Sequence, residues 1–139
     1  MLSQLNPYLT FNGNCREAMT FYQECLGGEL TLQSVGESPA ADRCPEGTES
    51  QIMHSSLLRD DLLLMATDMV APQGYIVGNH MSLSLNFNSE EEIKTVFEKL
   101  SAGGTVVDSL KKQFWGALFG VIVDKFGMAW MLNCELKEK

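Results

Sequence analysis

The sequence has little with which to hold a metal or grip an anion. It contains only two histidines, His54 and His80, and its four cysteines, Cys15, Cys25, Cys44 and Cys134, fall at irregular intervals with no CxxC pair. That spacing fits reduced, packing thiols and argues against a zinc knuckle or a disulfide framework. Cations are scarce as well: 10 Lys and Arg stand against 18 Asp and Glu, a net charge of −8, and no basic cluster is longer than Lys111-Lys112. A phosphate backbone would be repelled, so nucleic acid is not an expected partner. No run approaches the ~18 apolar residues of a membrane span. Residues 1–7 also lack the basic-then-apolar order of a secretory leader. The expectation is a cytoplasmic protein with no membrane partner.

What the chain does have is a phrase written twice. "FNGNCREAMTFYQECLGG" at 11–28 returns as "FNSEEEIKTVFEKLSAGG" at 87–104, 76 positions later. Each copy opens on an alternating run, "YLTF" at 8–11 and "SLSLNF" at 82–87, the pattern of a half-buried strand. A helix start follows, with Asn14 and Glu17 in the first copy and Ser89 and Glu92 in the second at capping-box spacing. The helical apolar stripes match at an offset of 75, pairing Ala18 with Ile93, Phe21 with Val96, Tyr22 with Phe97 and Cys25 with Leu100, whereas strands and glycines match at 76. A one-residue difference in the strand-to-helix loop, undone before Gly27-Gly28 and Gly103-Gly104, reconciles the two. Those glycines suit the left-handed turn that ends a helix.

Beyond each glycine pair the pattern predicts strands, at 29–35, 51–58 and 62–66 in the first copy and at 105–110, 117–123 and 128–133 in the second. Each half therefore reads strand, helix, strand, strand, strand. The expected fold is α+β: module one over about 5–68, a linker over about 67–80 broken by Pro72, Gly74 and Gly78, and module two over about 81–135. One helix cannot cover both faces of a four-stranded sheet, so the modules are expected to pack within one domain of 139 residues, each leaving a second sheet face to line something shared.

A paired βαβββ unit resembles the vicinal oxygen chelate superfamily, the glyoxalase, bleomycin-resistance and extradiol dioxygenase group. More closely, "NPYLTFNGNCREAMTFYQECLGGEL", "QIMHSSLLRDDLLLMATD" and "FWGALFGVIVDKFGMAWMLN" look like its PhnB-like branch. The resemblance covers nearly the whole chain and implies two curled mixed sheets around a cleft, in a homodimer. A methyltransferase activity, a name attached to some such sequences, gets no support. No strand here leads through a glycine-rich turn into a helix with a ribose-binding acid downstream.

The superfamily's chemistry implies a divalent metal held by His and Glu with open positions for substrate oxygens. Counting from the matched motifs puts the first-strand ligand at Pro7 or Tyr8, the fifth-strand ligand near Met81 or Ser82, and the eighth-strand carboxylate at Met131. None of these is a good ligand for such an ion. A substitute set would draw on His54, Asp68 and His80, with His54 and Asp68 as a general-base pair in the first module's concavity. The plainer alternative makes His54 a hydrogen-bonded strand residue and Asp68 a loop-starting acid. Trp115, in "FWG", is placed to close over an apolar or planar ligand, with Gly116 permitting close approach. Trp130 either lines the cleft or, alternating with Met128 and Leu132, is core. The branch usually carries a charged pair after Trp-Gly, and Ala117-Leu118 replaces it with an apolar one.

Three further features have plain explanations. Glu90-Glu91-Glu92 suits a helix's first turn, "DKFG" is a hairpin turn, and the loop at 37–50 is expected to be either a lid or disordered. Cys44 beside Arg43 has no histidine near it in sequence to make it a nucleophile. The leading expectation is a small-molecule binder without the usual metal, its ligand lined by Tyr8, His54, Asp68, Trp115 and Trp130. The alternatives are a metal-assisted glyoxalase- or dioxygenase-type enzyme using His54, Asp68 and His80, and a dimeric structural protein. Whether a reaction is catalysed is left open by the sequence.

Overall fold

A computed structural model of the protein describes residues 2–39 and 41–136. The chain divides into two compact units, Met1–Ile76 and Val77–Lys139, each with its own sheet. The first runs β1 (Tyr8–Thr10), α1 (Cys15–Leu26), β2 (Glu29–Ser34), β3 (Ile52–Arg59) and β4 (Leu62–Thr67). The second runs β5 (Ser82–Phe87), α2 (Glu90–Ser101), β6 (Thr105–Lys112), β7 (Ala117–Val123) and β8 (Ala129–Glu135). Strand order is β1-β4-β3-β2 in one and β5-β8-β7-β6 in the other, with the outer pairs β1–β4 and β5–β8 parallel and the rest antiparallel. The α+β architecture of two βαβββ modules is as expected from the sequence. The described residues 68–81 carry neither helix nor strand.

Helical periodicity explains how each helix seats on its sheet. In α1 the residues Cys15, Ala18, Met19, Tyr22, Cys25 and Leu26 are buried, and in α2 Ile93, Val96 and Leu100. A buried side chain of this size contributes about 1.5–3 kcal/mol by leaving water, so the stripe, rather than helix propensity, holds each helix in place. The helices begin 75 residues apart and β2 and β6 begin 76 apart, matching the two offsets in the sequence. Gly27 and Gly103 have φ of +77° and +76°, the left-handed conformation that ends each helix. Their followers serve a different purpose: a Cβ on Gly28 would strike the Leu58 carbonyl and one on Gly104 the Val123 carbonyl.

The two helix starts are not alike. Ser89 caps α2 as expected, its side chain accepting from the Glu92 N–H at 3.2 Å. Asn14 makes no side-chain cap bond. Its backbone (φ −112°, ψ 21°) is not the extended one that aims a cap side chain at the first turn. The carboxylate of Asp68 takes over, accepting from the Gly13 and Cys15 N–H groups at 2.9 Å each.

Strand alternation sorts the remaining side chains between a helix face and an open face. Ser55, Leu57, Leu64 and Ala66 lie under α1, as the contact of Ser55 with Cys15 indicates. Gly120, Leu132 and Trp130 lie under α2, where a Cβ on Gly120 would run into the Phe97 ring. The open face of the first sheet carries Tyr8, His54, Ser56 and Met65, and that of the second Ser84, Phe119, Met131 and Asn133. The outer strand β6 pairs irregularly with β7, its register breaking between Val106 and Asp108 and again between Asp108 and Lys111.

Candidate functional site

In the first module the buried acid ties three segments together. Asp68 Oδ1 takes the Gly13 and Cys15 amides, and Oδ2 accepts from the Ile52 N–H at 2.8 Å. One side chain thus joins the end of β4 to the starts of α1 and β3. The Cys15 thiol, below α1's first turn, sits 3.5 Å from Ser55 Oγ. Burial pushes its pKa up to about 11, with the Ser55 hydrogen bond opposing and the Asp68 charge adding to the rise. Such a thiol is inert at neutral pH. Tyr75 also titrates above its ordinary range, first through burial and then through the Asp68 charge.

On the open face the structure brings Tyr8 and His54 together. Tyr8 Oη and His54 Nδ1 are 3.1 Å apart, and the rings lie 5.8 Å apart at a 45° tilt. β4 separates their strands, so Tyr8 reaches across Met65, its own cross-strand neighbour, to meet His54. Gln33 flanks His54 on β2. Tyr8 remains 50% exposed and His54 is half-buried, so a ligand could reach both. The pairing of His54 with Asp68 anticipated from the sequence is not formed: His54 Nδ1 meets Tyr8 on the open face, while Asp68 bonds to the amides of Gly13, Cys15 and Ile52. His80 is exposed, in the stretch between the sheets.

At the start of the loop between β2 and β3, Ser34 donates to Glu37 Oε1 from its hydroxyl at 2.6 Å and from its N–H at 3.2 Å. These two bonds hold the Glu37 carboxyl below its ordinary pKa. A single helical turn, Ala41–Arg43, lies further along the same loop.

The two tryptophans of the second module have different environments. Trp130 is core: it is 1% exposed and its Nε1–H donates to Asp124 Oδ2 at 2.7 Å. Asp124 Oδ1 also accepts from the Phe126 and Met128 N–H groups, so this buried acid fixes the "DKFG" turn. Trp115 instead sits at the tip of the β6–β7 hairpin. The turn is closed by the Gly116 N–H on the Gln113 carbonyl at 3.1 Å and by the Gln113 N–H on the Ala117 carbonyl at 2.8 Å. Gly116, with φ +87°, supplies the left-handed residue that such a turn needs. Trp115 is 53% exposed and meets Phe114 and Phe119 edge-on, with centroids 4.9 and 5.7 Å away. The Gln113 Nε2 is buried with no hydrogen-bond partner among the described residues.

Three residues of these faces escaped the sequence reading. Phe119, the exposed Asn86 and the half-buried Asn133, whose amide meets that of Asn86 at 3.3 Å, all lie on the second open face. The signal was there: in "SLSLNF" and "ALFGVIV", alternation assigns Asn86 and Phe119 to the faces opposite Leu85 and Gly120.

The donors at the superfamily's metal positions do not fit a hard or borderline divalent ion. Tyr8, Ser82 and Met131 offer a phenol, a hydroxyl and a thioether, with no carboxylate or imidazole among them. Nor do three His, Cys, Asp or Glu side chains gather in metal-holding geometry among the described residues. No helix of the described residues is long and apolar enough to cross a membrane.

Comparison with known proteins gives the class that this fold defines. Residues 4–132 match the model of the Glyoxalase/Bleomycin resistance protein/Dioxygenase superfamily, and the chain belongs to that family. Protein YjdN of Escherichia coli is 36% identical over 93% of each chain. The crystal structure of protein PA1353 from Pseudomonas aeruginosa superposes with a TM-score of 0.84 at 41% identity, over 98% of this chain and 100% of that one. A Bacillus cereus PhnB protein, described as a putative 3-demethylubiquinone-9 3-methyltransferase, gives 0.74 at 26% identity over 95% and 99%. The chain lies in the PhnB-like branch of its superfamily.

Proposed function

We propose that the protein binds a small, partly apolar molecule on the open faces of its sheets, without a divalent metal at the positions its superfamily uses, and that it does so as a cytoplasmic homodimer. The observation that carries this reading is a recurring arrangement. On each open face an aromatic side chain from a flanking element meets a ring on the middle of the sheet, Tyr8 on His54 and Trp115 on Phe119. Half-exposed aromatic surface beside a few polar groups is what ligand sites are made of. The donor set at Tyr8, Ser82 and Met131, and an Asp68 carboxylate held by three backbone amides, support binding over metal-assisted catalysis.

The test is a small-molecule screen read by thermal unfolding and by the resonances of Tyr8, His54 and Trp115. A ligand at 100 times its Kd stabilises the fold by about 2.7 kcal/mol. Tyr8→Phe and Trp115→Leu should each reduce that shift. A screen in which no compound moves the unfolding temperature or those resonances overturns the reading. Stoichiometric metal in the purified protein, lost in His54→Ala or His80→Ala, would replace it with the metal-assisted one.

A further inference from the structure

The second open face carries a row of side chains whose chemistry names a class of ligand. Cross-strand pairing sets Asn86, Asn133, Phe119 and Lys111 side by side along one line across β5, β8, β7 and β6. Side chains paired this way stand about 4.5–5.5 Å apart, so a ring lying on Phe119 brings its edge over Asn133. Trp115 supplies a second aromatic surface beside Phe119. At one end of the row the Asn133 amide donates to Asn86 Oδ1 at 3.3 Å. That bond uses one donor and one acceptor, and the pair keeps further N–H groups and a carbonyl for a ligand. At the other end the Lys111 ammonium lies 3.6 Å from the Asp108 carboxylate. The Lys111 charge is thus paired with an acid, and residues 77–139, which hold this face, carry a net charge of −1, so a ligand anion finds little net attraction here.

We infer that this face binds a neutral planar ring with an amide-type edge, an N–H beside a carbonyl as in a lactam, packed against Phe119 and Trp115 with that edge on Asn133 and Asn86. The inference rests on the ligand-binding reading above and specifies its chemistry for the second module. Aromatic contact supplies affinity that tolerates many rings, and the asparagine pair selects among them, because a ring without the edge leaves its amides unmatched.

Titration of the whole protein with three probes tests it: quinolin-2-one, its N-methyl derivative, and quinoline-2-carboxylate, read by calorimetry and by the Trp115 indole resonance. Quinolin-2-one should move that resonance and bind about tenfold more tightly than the N-methyl probe, the worth of one hydrogen bond. Asn133→Leu should erase the difference, as should Asn86→Ser on the exposed outer strand, a change that keeps the fold testable should the first fail to fold. Phe119→Leu should weaken both neutral probes alike. Equal binding of the two neutral probes overturns the inference. So does tighter binding of the carboxylate that is lost in Lys111→Gln, or a Trp115 resonance that none of the three moves. In that last case the Tyr8 and His54 resonances in the broader screen separate the outcomes: shifts there keep the general reading, and their absence removes it too.

Discussion

The two modules share a frame, and each sets an aromatic side chain against a ring on its open face, but the chemistry of those groups differs. The open-face row Tyr8, Met65, Ser56 matches the row Ser84, Met131, Val121, and His54 and Phe119 stand two residues before Ser56 and Val121, so they occupy equivalent places. One is an imidazole bonded to a phenol, the other a phenyl ring under an indole. Charge has separated as well. Residues 1–76 hold ten acids and three arginines with no lysine, a net of −7, while residues 77–139 hold eight acids and seven lysines with no arginine, a net of −1. The strand pairing and the helix seat tolerate little change because a one-residue slip turns a strand over. The open faces are under no such constraint and differ at equivalent places, with a phenol–imidazole pair on the first and a phenyl–indole pair beside two asparagines on the second.

The largest expected break in the symmetry comes from the helix starts. Asp68→Ala leaves three backbone amides of the first module without their acceptor and should cost about 3–5 kcal/mol in urea unfolding. Ser89→Ala removes one exposed cap bond from the second module and should cost about 1 kcal/mol. Similar losses from the two substitutions would contradict the tie assigned to Asp68.

Alkali should separate the modules next. Cys15 and Glu90 are the first residues of their helices, one a buried thiol and the other an exposed acid. The folded thiol ionises near 11 and the unfolded one near its ordinary 9.0. Its contribution is therefore complete below pH 9.0 and lost as pH rises toward 11, a fall of about 3 kcal/mol. Stability measured across that window should lose this slope in Cys15→Ala. A slope unchanged by the substitution would place the alkaline sensitivity elsewhere.

The smallest effect is acidic and local. The Glu37 carboxyl is held below its ordinary value by Ser34, so the contact is intact above pH 4.5 and released as pH falls through the lower folded value. Amide exchange at Ser34 should quicken there while β6 and β7 stay unchanged. Glu37→Gln should show the faster exchange at neutral pH, and protection that persists in that variant would assign it to another partner.

Most of the frame was legible in the sequence because its signals are local. Alternation marked the strands, 3.6-residue spacing marked the buried stripes, and the 75 and 76 offsets survive as helix and strand spacings. The sites were less legible because their contacts are distant. Tyr8 meets His54 across 46 positions and Asp68 reaches Cys15 across 53. A capping rule that looks three residues ahead selects Asn14 and cannot see a better acceptor arriving from the end of β4. The sequence placed Trp115 to close over a ligand, but its contact with Phe119 depends on the hairpin that folds residue 115 back beside β7. That Trp130 would be held by Asp124 depended on a turn bringing a residue six positions back beneath the indole.

The two register breaks in β6 have a consequence for the protein in a crowded solution. Val106 and Val107 are 48% and 60% exposed on an outer strand, the kind of segment on which another chain could extend the sheet. Each break in register puts the outer edge of β6 out of step with the even ladder an incoming chain would need. Lys111 and Lys112 add like charge at its end. A β6 that paired in even register would lose that protection and offer its edge to another copy.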